Sequence, residues 1–581
     1  MVLFRKSVWF YVAISILAGV AYLGISGILA FRELTQVQSI SEEIDVETVV
    51  NDPLQLVEAL GESRQHAAKA EFYLSGPLWW AISKVPFIGE TPAAAKAVAI
   101  SLDQIFQSTL ELESGLASAI PENQSAMNLE LILILGKSAT ELETPIEDSI
   151  LRLSELKLNV VPSGIANSTE KLLEALNGAK PYLDEGANIT PALPILLGLD
   201  RPREWLLVFE NGAEARATGG FPGGWGRLTV SNGQFDLKNL ESNDSVASNP
   251  LVDLDRIVPR EVIDLYSNDL SRLLDMNLSP DFPLNASLMH AIYLQNKGSV
   301  PEGVIAMDQQ SLSSLMKVTG EVSVSGYLVN SENVATYVTK TVYELFPDPL
   351  EKDAALLTLI QQVFEKLSKE TNPIKILQML VPALNDNRIS AWSSIEVDQR
   401  KILASRLGGS TSDSSSPTHM AVMINGAGNK IDAYVQSDVT YQQGQCQPYL
   451  PYRESTMFIK LTNSAPSVGL PAYVTPRNDR TNRVNSEPGS TKMLVYIHSS
   501  PGSEFGSATI NGQDVQPIVS GSENDRTVWR IDVELPASSV TKLDVVFIEP
   551  AVGDEPEPDL WVQPMAVPMT TRVLDGPPRC E

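Results

Sequence analysis

Between Trp205 and Leu237 the chain reads WLLVFENGAEARATGGFPGGWGRLTVSNGQFDL, and no other stretch restricts its folding as tightly. The unbroken apolar run Trp205, Leu206, Leu207, Val208, Phe209 is what a strand covered on both faces requires. A polar segment follows, carrying Glu210, Asn211, Glu214, Arg216 and Thr218. Gly219, Gly220, Gly223, Gly224 and Gly226 then place five glycines in eight residues, which predicts a loop whose backbone takes positive φ or passes close to another group. Strand pattern resumes over Arg227 to Val230, Asn232-Gly233 supplies a two-residue hairpin turn, and Phe235 to Leu237 returns. The candidate site is the segment held between that first strand and the hairpin.

The rest of the chain is organised around this stretch. At 581 residues it exceeds what a single core sustains, so several domains are expected. Forty-three basic against 71 acidic side chains give a formal charge of −28, which repels phosphate backbones, and no run of Lys and Arg offers a local basic patch. No nucleic-acid partner is expected. The acids are scattered, as on an ordinary solvated surface. Val8 to Phe31 are 24 consecutive residues without a charge, preceded by Arg5 and Lys6 and followed by Glu33, Glu42, Glu43, Asp45 and Glu47. That pattern predicts a transmembrane helix over 8–31, a cytoplasmic tail over 1–7 and an extracytoplasmic remainder at the cell membrane. The lipid bilayer is then the first expected partner. The apolar run exceeds the roughly 7–15-residue core of a cleaved signal peptide, so an uncleaved anchor is predicted. Cys446 and Cys580 are the two cysteines and share no short metal-type spacing. In an oxidising exterior they form a candidate disulfide.

Residues 40–198 carry apolar positions at three- and four-residue spacing and predict a juxtamembrane helical bundle, with helices over Val46 to Leu60, Ala93 to Leu116, Met127 to Leu158 and Ile165 to Leu176. Leu78, Trp79 and Trp80 read as a plug between helices. Residues 200–407 alternate strands and helices, which predicts a central α/β domain containing the glycine-rich loop. A Gly/Ser linker is expected over 408–417. Short β-rich runs then predict a β-sandwich over 418–581, ending in a Pro-rich extended tail. The fold class expected is therefore multidomain α+β: N-terminal transmembrane helix, helical bundle, central α/β domain and C-terminal β-sandwich.

Most catalytic signatures are missing. The chain has no G-x-x-x-x-G-K-[ST] phosphate loop, no H-E-x-x-H zinc helix and no G-x-S-x-G elbow. His66, His290, His419 and His498 fall in three predicted domains, so no metal site is expected from them. The glycine loop admits two readings. It can form an anion nest of backbone N–H groups with Arg216 as a bidentate fork. Alternatively, Glu214 pairs with Arg216, Asn211 caps the turn, and the glycines allow tight reversal.

The core N-x-A-E-x-R-x-T-G-G-F, formed by Asn211, Ala213, Glu214, Arg216, Thr218, Gly219, Gly220 and Phe221, resembles the hallmark of domain-of-unknown-function family 4012, membrane-anchored and mostly bacterial envelope proteins. Ser279 to Pro283, Gly303 to Val324, Arg388 to Trp392 and Leu461 to Val474 are similar to that family as well. A second resemblance is to the LytR-CpsA-Psr envelope transferases, which move glycopolymers from a polyprenyl-pyrophosphate carrier. It implies that Arg216 grips the pyrophosphate and that Mg is a cofactor. This chain has Gly223-Gly224-Trp225-Gly226-Arg227-Leu228 where those enzymes carry an Asp, and Glu351, Lys352 and Asp353 where they cluster arginines.

The sequence thus supports a single-pass envelope protein acting as a non-catalytic scaffold or glycopolymer-binding protein, with cell-wall glycan or lipid-linked glycan as a further partner. No cofactor is expected on that reading. The alternative is a LytR-CpsA-Psr-like phosphotransferase acting on polyprenyl-pyrophosphate-linked glycan. The candidate ligand-binding residues are Asn211, Glu214, Arg216, Thr218, Gly219, Gly220 and Phe221.

Overall fold

In a computed structural model, the described residues are 2–43, 53–85, 88–119, 129–246, 249–370, 373–412, 419–446, 451–479, 487–551 and 558–574. They form two compact units, one of residues 1–190 with 371–375, the other of 191–370 with 376–581.

The first unit is helical: α1 (Val2–Glu43), α2 (Pro53–Leu74), α3 (Pro77–Ile82), α4 (Glu90–Gln107), α5 (Leu110–Ala119), α6 (Leu129–Ser154) and α7 (Ser163–Ile189). The expected helix over Val46 to Leu60 lies partly outside the described residues, and the one expected over Ala93 to Leu116 is broken between α4 and α5. The expected transmembrane helix over 8–31 is corrected. Among the described residues no helix is long and apolar enough to cross a membrane. The apolar run is part of the 42-residue α1, which continues without a break into the polar end at Glu43. One side of its described part is occupied by bundle packing. Ser26 and Ala30 are buried, Trp79 Nε1 donates to Ser26 Oγ at 2.9 Å, and the Trp79 ring lies against Gly27. Trp79 thus fills the plug expected of it, while its neighbour Trp80 points outward, 61% exposed.

The second unit is built on a mixed sheet. Its strands are β1 (Arg203–Asn211), β2 (Phe221–Ser231), β3 (Gln234–Ser242), β4 (Gly303–Met307) and, in this order, one later strand after a two-stranded hairpin of β5 (Val322–Val324) and β6 (Tyr327–Val329), namely β7 (Ile389–Ser393). The order across the sheet is β3-β2-β1-β4-β7, with β1 and β4 parallel and the other pairs antiparallel. β1 is central, and its alternating side chains face two different layers. Leu206 and Val208 join the core formed with helices α8 (Arg260–Tyr266) and α9 (Phe282–Lys297). On the opposite face Phe209 packs edge-on against Phe364 of a helix that follows α10 (Gln309–Thr319), namely α11 (Pro349–Leu367). Asp308 and Asp348 start α10 and α11 by accepting two backbone N–H bonds each, with Pro349 at the first turn of α11.

The predicted glycine loop is corrected in its second half. Gly223, Gly224 and Gly226 lie within β2, and of the five only Gly219 and Gly220 have positive φ, 139° and 146°. Strand geometry needs no glycine at these positions, and only at Gly226 does packing favour one. A Cβ at Gly226 would sit 2.7 Å from Leu237 Cδ1 of the neighbouring strand. The register of β1 against β2 shifts between Phe209 and Glu210, which leaves Gly223 as the extra residue of a bulge. Asn232 (φ 47°) and Gly233 (φ 72°) make the expected hairpin turn between β2 and β3.

Two further sheets complete this unit. One contains β8 (His419–Asn425), β11 (Thr491–Ser499), β14 (Val519–Glu523), β15 (Arg526–Leu535) and β17 (Leu560–Trp561); the other contains β9 (Val435–Gln442), β10 (Tyr452–Asn463), β12 (Glu504–Ile510), β13 (Gln513–Val515), β16 (Ser539–Pro550) and β18 (Thr570–Leu574). They enclose a common core, as a sandwich does: Ala421, Met423, Val495 and Ile531 meet Met457, Ile459, Val545 and Phe547. The first sheet is buried on its outer face too. Met420, Val422, Ile424, Tyr496 and Val528 belong to the core shared with Leu206, Val208, α8 and α9. Each residue of β8 is buried accordingly. The expected linker is corrected in its first part, since Phe282 N donates to Gly409 O and Thr411 N to Asp281 Oδ1; residues 413–418 lie outside the described ones. The tail expected to be extended contributes β17 and β18, which pair in parallel with β8 and β9.

Candidate functional site

β1 ends at Asn211, and the chain leaves the sheet for ten residues before Phe221 opens β2. Asn211 Oδ1 accepts from Ala213 N at 2.9 Å, the local side-chain turn that Asn favours. From there the segment runs into the sandwich. Ala215 N donates to Asp432 Oδ2 at 2.7 Å, Asn425 N to Ala215 O at 3.0 Å, Asp432 N to Ala213 O at 3.2 Å, and Gln563 Nε2 to Arg216 O at 2.9 Å. On the other side Gln309 Oε1 accepts from Gly212 N and Asn277 O from Ala217 N. The N–H groups of Gly212, Ala213, Ala215 and Ala217 are therefore bonded to protein and not turned toward an anion.

The charges are equally engaged. Arg216 is 4% exposed and donates from Nε to Leu274 O, from Nη1 to Ala215 O, and from Nη2 to Glu214 Oε1 (2.8 Å) and Asp275 Oδ1 (3.0 Å). Glu214 Oε2 receives the Lys430 ammonium, which also lies 3.9 Å from the centre of the Phe221 ring. Burial alone would raise the Glu214 carboxyl, but the Lys430 and Arg216 charges outweigh it and lower it to about 2. Asp432 goes the other way. Burial pushes it up to about 7 against the hydrogen bonds from Ala215 N and Asn425, and its Oδ1 has no partner among the described residues.

Asp432 makes a stability prediction with a definite sign. Its folded value exceeds the ordinary 3.8, so the folded state holds a proton that the unfolded chain releases. This contribution is complete below about pH 4 and disappears as the pH rises through about 7. Asp432→Asn keeps both accepted bonds and removes the titration. Urea denaturation from pH 5 to 8 should show a stability falling less steeply with pH in the variant; an unchanged slope counts against this assignment.

Beside this ion network lies a cavity of about 210 Å³. Its lining includes the polar residues Glu210, Glu214, Asp308, Gln309 and Lys430 and the apolar residues Phe209, Leu356, Leu357 and Ile360. Glu210 is buried, and its Oε1 accepts from Asn277 Nδ2 (2.9 Å) and Thr218 Oγ1 (3.1 Å). Burial raises its carboxyl well above the usual range; those two bonds oppose the rise and the Asp308 charge adds to it, so the neutral form is favoured. Asp308 Oδ2 is paired with Arg388 at 2.7 Å, and Lys352 with Asp353 at 2.8 Å under the ring of Tyr473. Asn211 Nδ2 donates to Val338 O and to the Tyr343 hydroxyl. Val338 also lines the cavity and belongs to a π-helical turn, Tyr337–Thr341, a distortion that recurs at functional sites.

Of the residues singled out from sequence, Asn211, Glu214 and Phe221 line the cavity. Arg216 is not among its lining residues. Thr218 supports Glu210, and a Cβ on Gly219 would come within 2.7 Å of Glu210 Oε2. Glu210, Asp275, Asn277, Asp308, Asn425, Lys430, Asp432 and Gln563 were not marked as site residues, because pairs up to 347 positions apart leave no spacing signal. Arg388 was within reach, as the first residue of a stretch similar to family 4012. Cys446 is disulfide-bonded, while Cys580 lies outside the described residues. No cluster of three or more His, Cys, Asp or Glu suited to a metal occurs among the described residues.

Searches of curated proteins and of solved structures find no match. Residues 200–343, which supply β1 to β4 and the π-helical turn, match the family model described as Protein of unknown function (DUF4012).

Proposed function

We propose that this chain is a non-catalytic, extracytoplasmic binding scaffold whose ligand is an envelope glycan. The observation that carries this reading is the division of labour around β1. The polar side chains of the hallmark segment that would attract a phosphate are bonded to protein, while a cavity beside them combines hydrogen-bonding groups with an aliphatic wall. Such a mixed cavity is the usual form of a small-molecule binding site. The disulfide at Cys446 supports an oxidising compartment.

Sedimentation of the purified protein with insoluble cell-wall glycan tests the reading. Wild type should pellet with the glycan without releasing phosphate or sugar. Failure to pellet with any glycan removes the reading. Release of phosphate from a polyprenyl-pyrophosphate-linked glycan, abolished by Arg216→Lys, would replace it with a transferase.

A further inference from the structure

Resting on the glycan reading of the cavity, we infer that its occupant is a single uncharged sugar residue with one apolar face, and that anionic sugars are excluded. The charges near the cavity are already matched. Lys430 is held by Glu214, Arg388 by Asp308, and Lys352 by Asp353. An entering carboxylate or phosphate would find each neighbouring cation paired, and a buried charge without a counter-ion is strongly disfavoured.

The lining combines apolar and hydrogen-bonding groups, as a sugar ring does. Phe209 with Leu356, Leu357 and Ile360 of α11 form an aliphatic and aromatic face. On the same lining, Glu210 Oε2 has no hydrogen-bond partner among the described residues, and Gln309 Nε2 has only a 3.5 Å contact with Asp308. These two groups are free to bond hydroxyls, and a neutral Glu210 carboxyl can donate as well as accept. At about 210 Å³ the cavity is smaller than the roughly 300–1,000 Å³ of sites for drug-sized ligands, which restricts it to one ring.

Gly223 provides a way to fill the cavity. A Cβ there would meet Phe209 O at 3.7 Å and the Phe221 ring at 3.8 Å, ordinary contacts, and its φ is not positive. Calorimetric titration of the full chain should use the methyl glycosides of N-acetylglucosamine, glucosamine and glucuronic acid as neutral, cationic and anionic probes. The neutral glycoside should bind about tenfold or more tighter than either charged one. Gly223→Val, and independently Leu357→Trp, should weaken it by about tenfold with unchanged thermal unfolding. Wild-type affinity should fall as the pH is raised and Glu210 ionises, and Glu210→Gln should bind with little pH dependence.

Tighter binding of the glucuronide would overturn the inference while leaving a glycan site. Undiminished binding in both cavity-filling variants would also overturn it, since the sugar would then sit elsewhere. Binding of no glycoside at all would remove the glycan reading itself.

Discussion

Arg216→Met should destabilise the larger unit by about 3–5 kcal/mol, the usual cost of removing one partner from a buried ion pair. Glu214 and Asp275 would lose their common cation, and the backbone oxygens of Leu274 and Ala215 would lose their donor. The chain offers little relief, because Lys430 is already placed on the other Glu214 oxygen and Arg272 on the other Asp275 oxygen. Urea unfolding followed by tryptophan fluorescence can measure this, since Trp205 and Trp225 are buried in the affected sheet. Because the chain holds two compact units, the transition of the larger one must be fitted separately. A loss below about 1 kcal/mol, typical of an exposed pair, would mean that Arg216 is not held as described.

Gly220→Ala should be at least as damaging, by on the order of 3 kcal/mol or more. The φ of 146° is strained for any side chain, and the added Cβ would lie 2.2 Å from both the carbonyl carbon and oxygen of Asn211. Those are backbone atoms at the end of a central strand, so they cannot rotate away. Gly223→Ala is the internal control, with an expected change within about 0.5 kcal/mol. Equal stability of the two alanine variants in thermal unfolding would refute the assignment of Gly220 to this close approach.

Elements fixed by local pattern were legible in the sequence. The run Trp205 to Phe209 is the core of β1, and Asn232-Gly233 turns the hairpin at β2–β3. The glycines misled for a physical reason. Gly226 is small because Leu237 lies over it, a tertiary demand that resembles loop composition from the outside. The apolar run 8–31 misled similarly, since length without charge does not separate a membrane span from a helix that uses one side for Trp79. At the site, Glu214 and Arg216 were visible as a pair two residues apart, as one of the two readings of the loop required. Their partners Lys430, Asp432 and Gln563 come from a region whose strands could be recognised but whose placement over β1 could not.

The sheet buried on both faces has a further implication for biosynthesis. Gln563 closes over Arg216 from 347 positions downstream, and β17 and β18 add the last strands to both sandwich sheets. At about 5–20 residues per second, the ribosome needs roughly 20–70 s to supply them. During that interval the nascent central domain carries the Arg216 backbone carbonyl without its final donor and an apolar surface awaiting β8. The segment is thus a late-closing clasp, and a ribosome stalled before Leu560 would leave the Arg216 carbonyl without Gln563 and both sandwich sheets without their last strand.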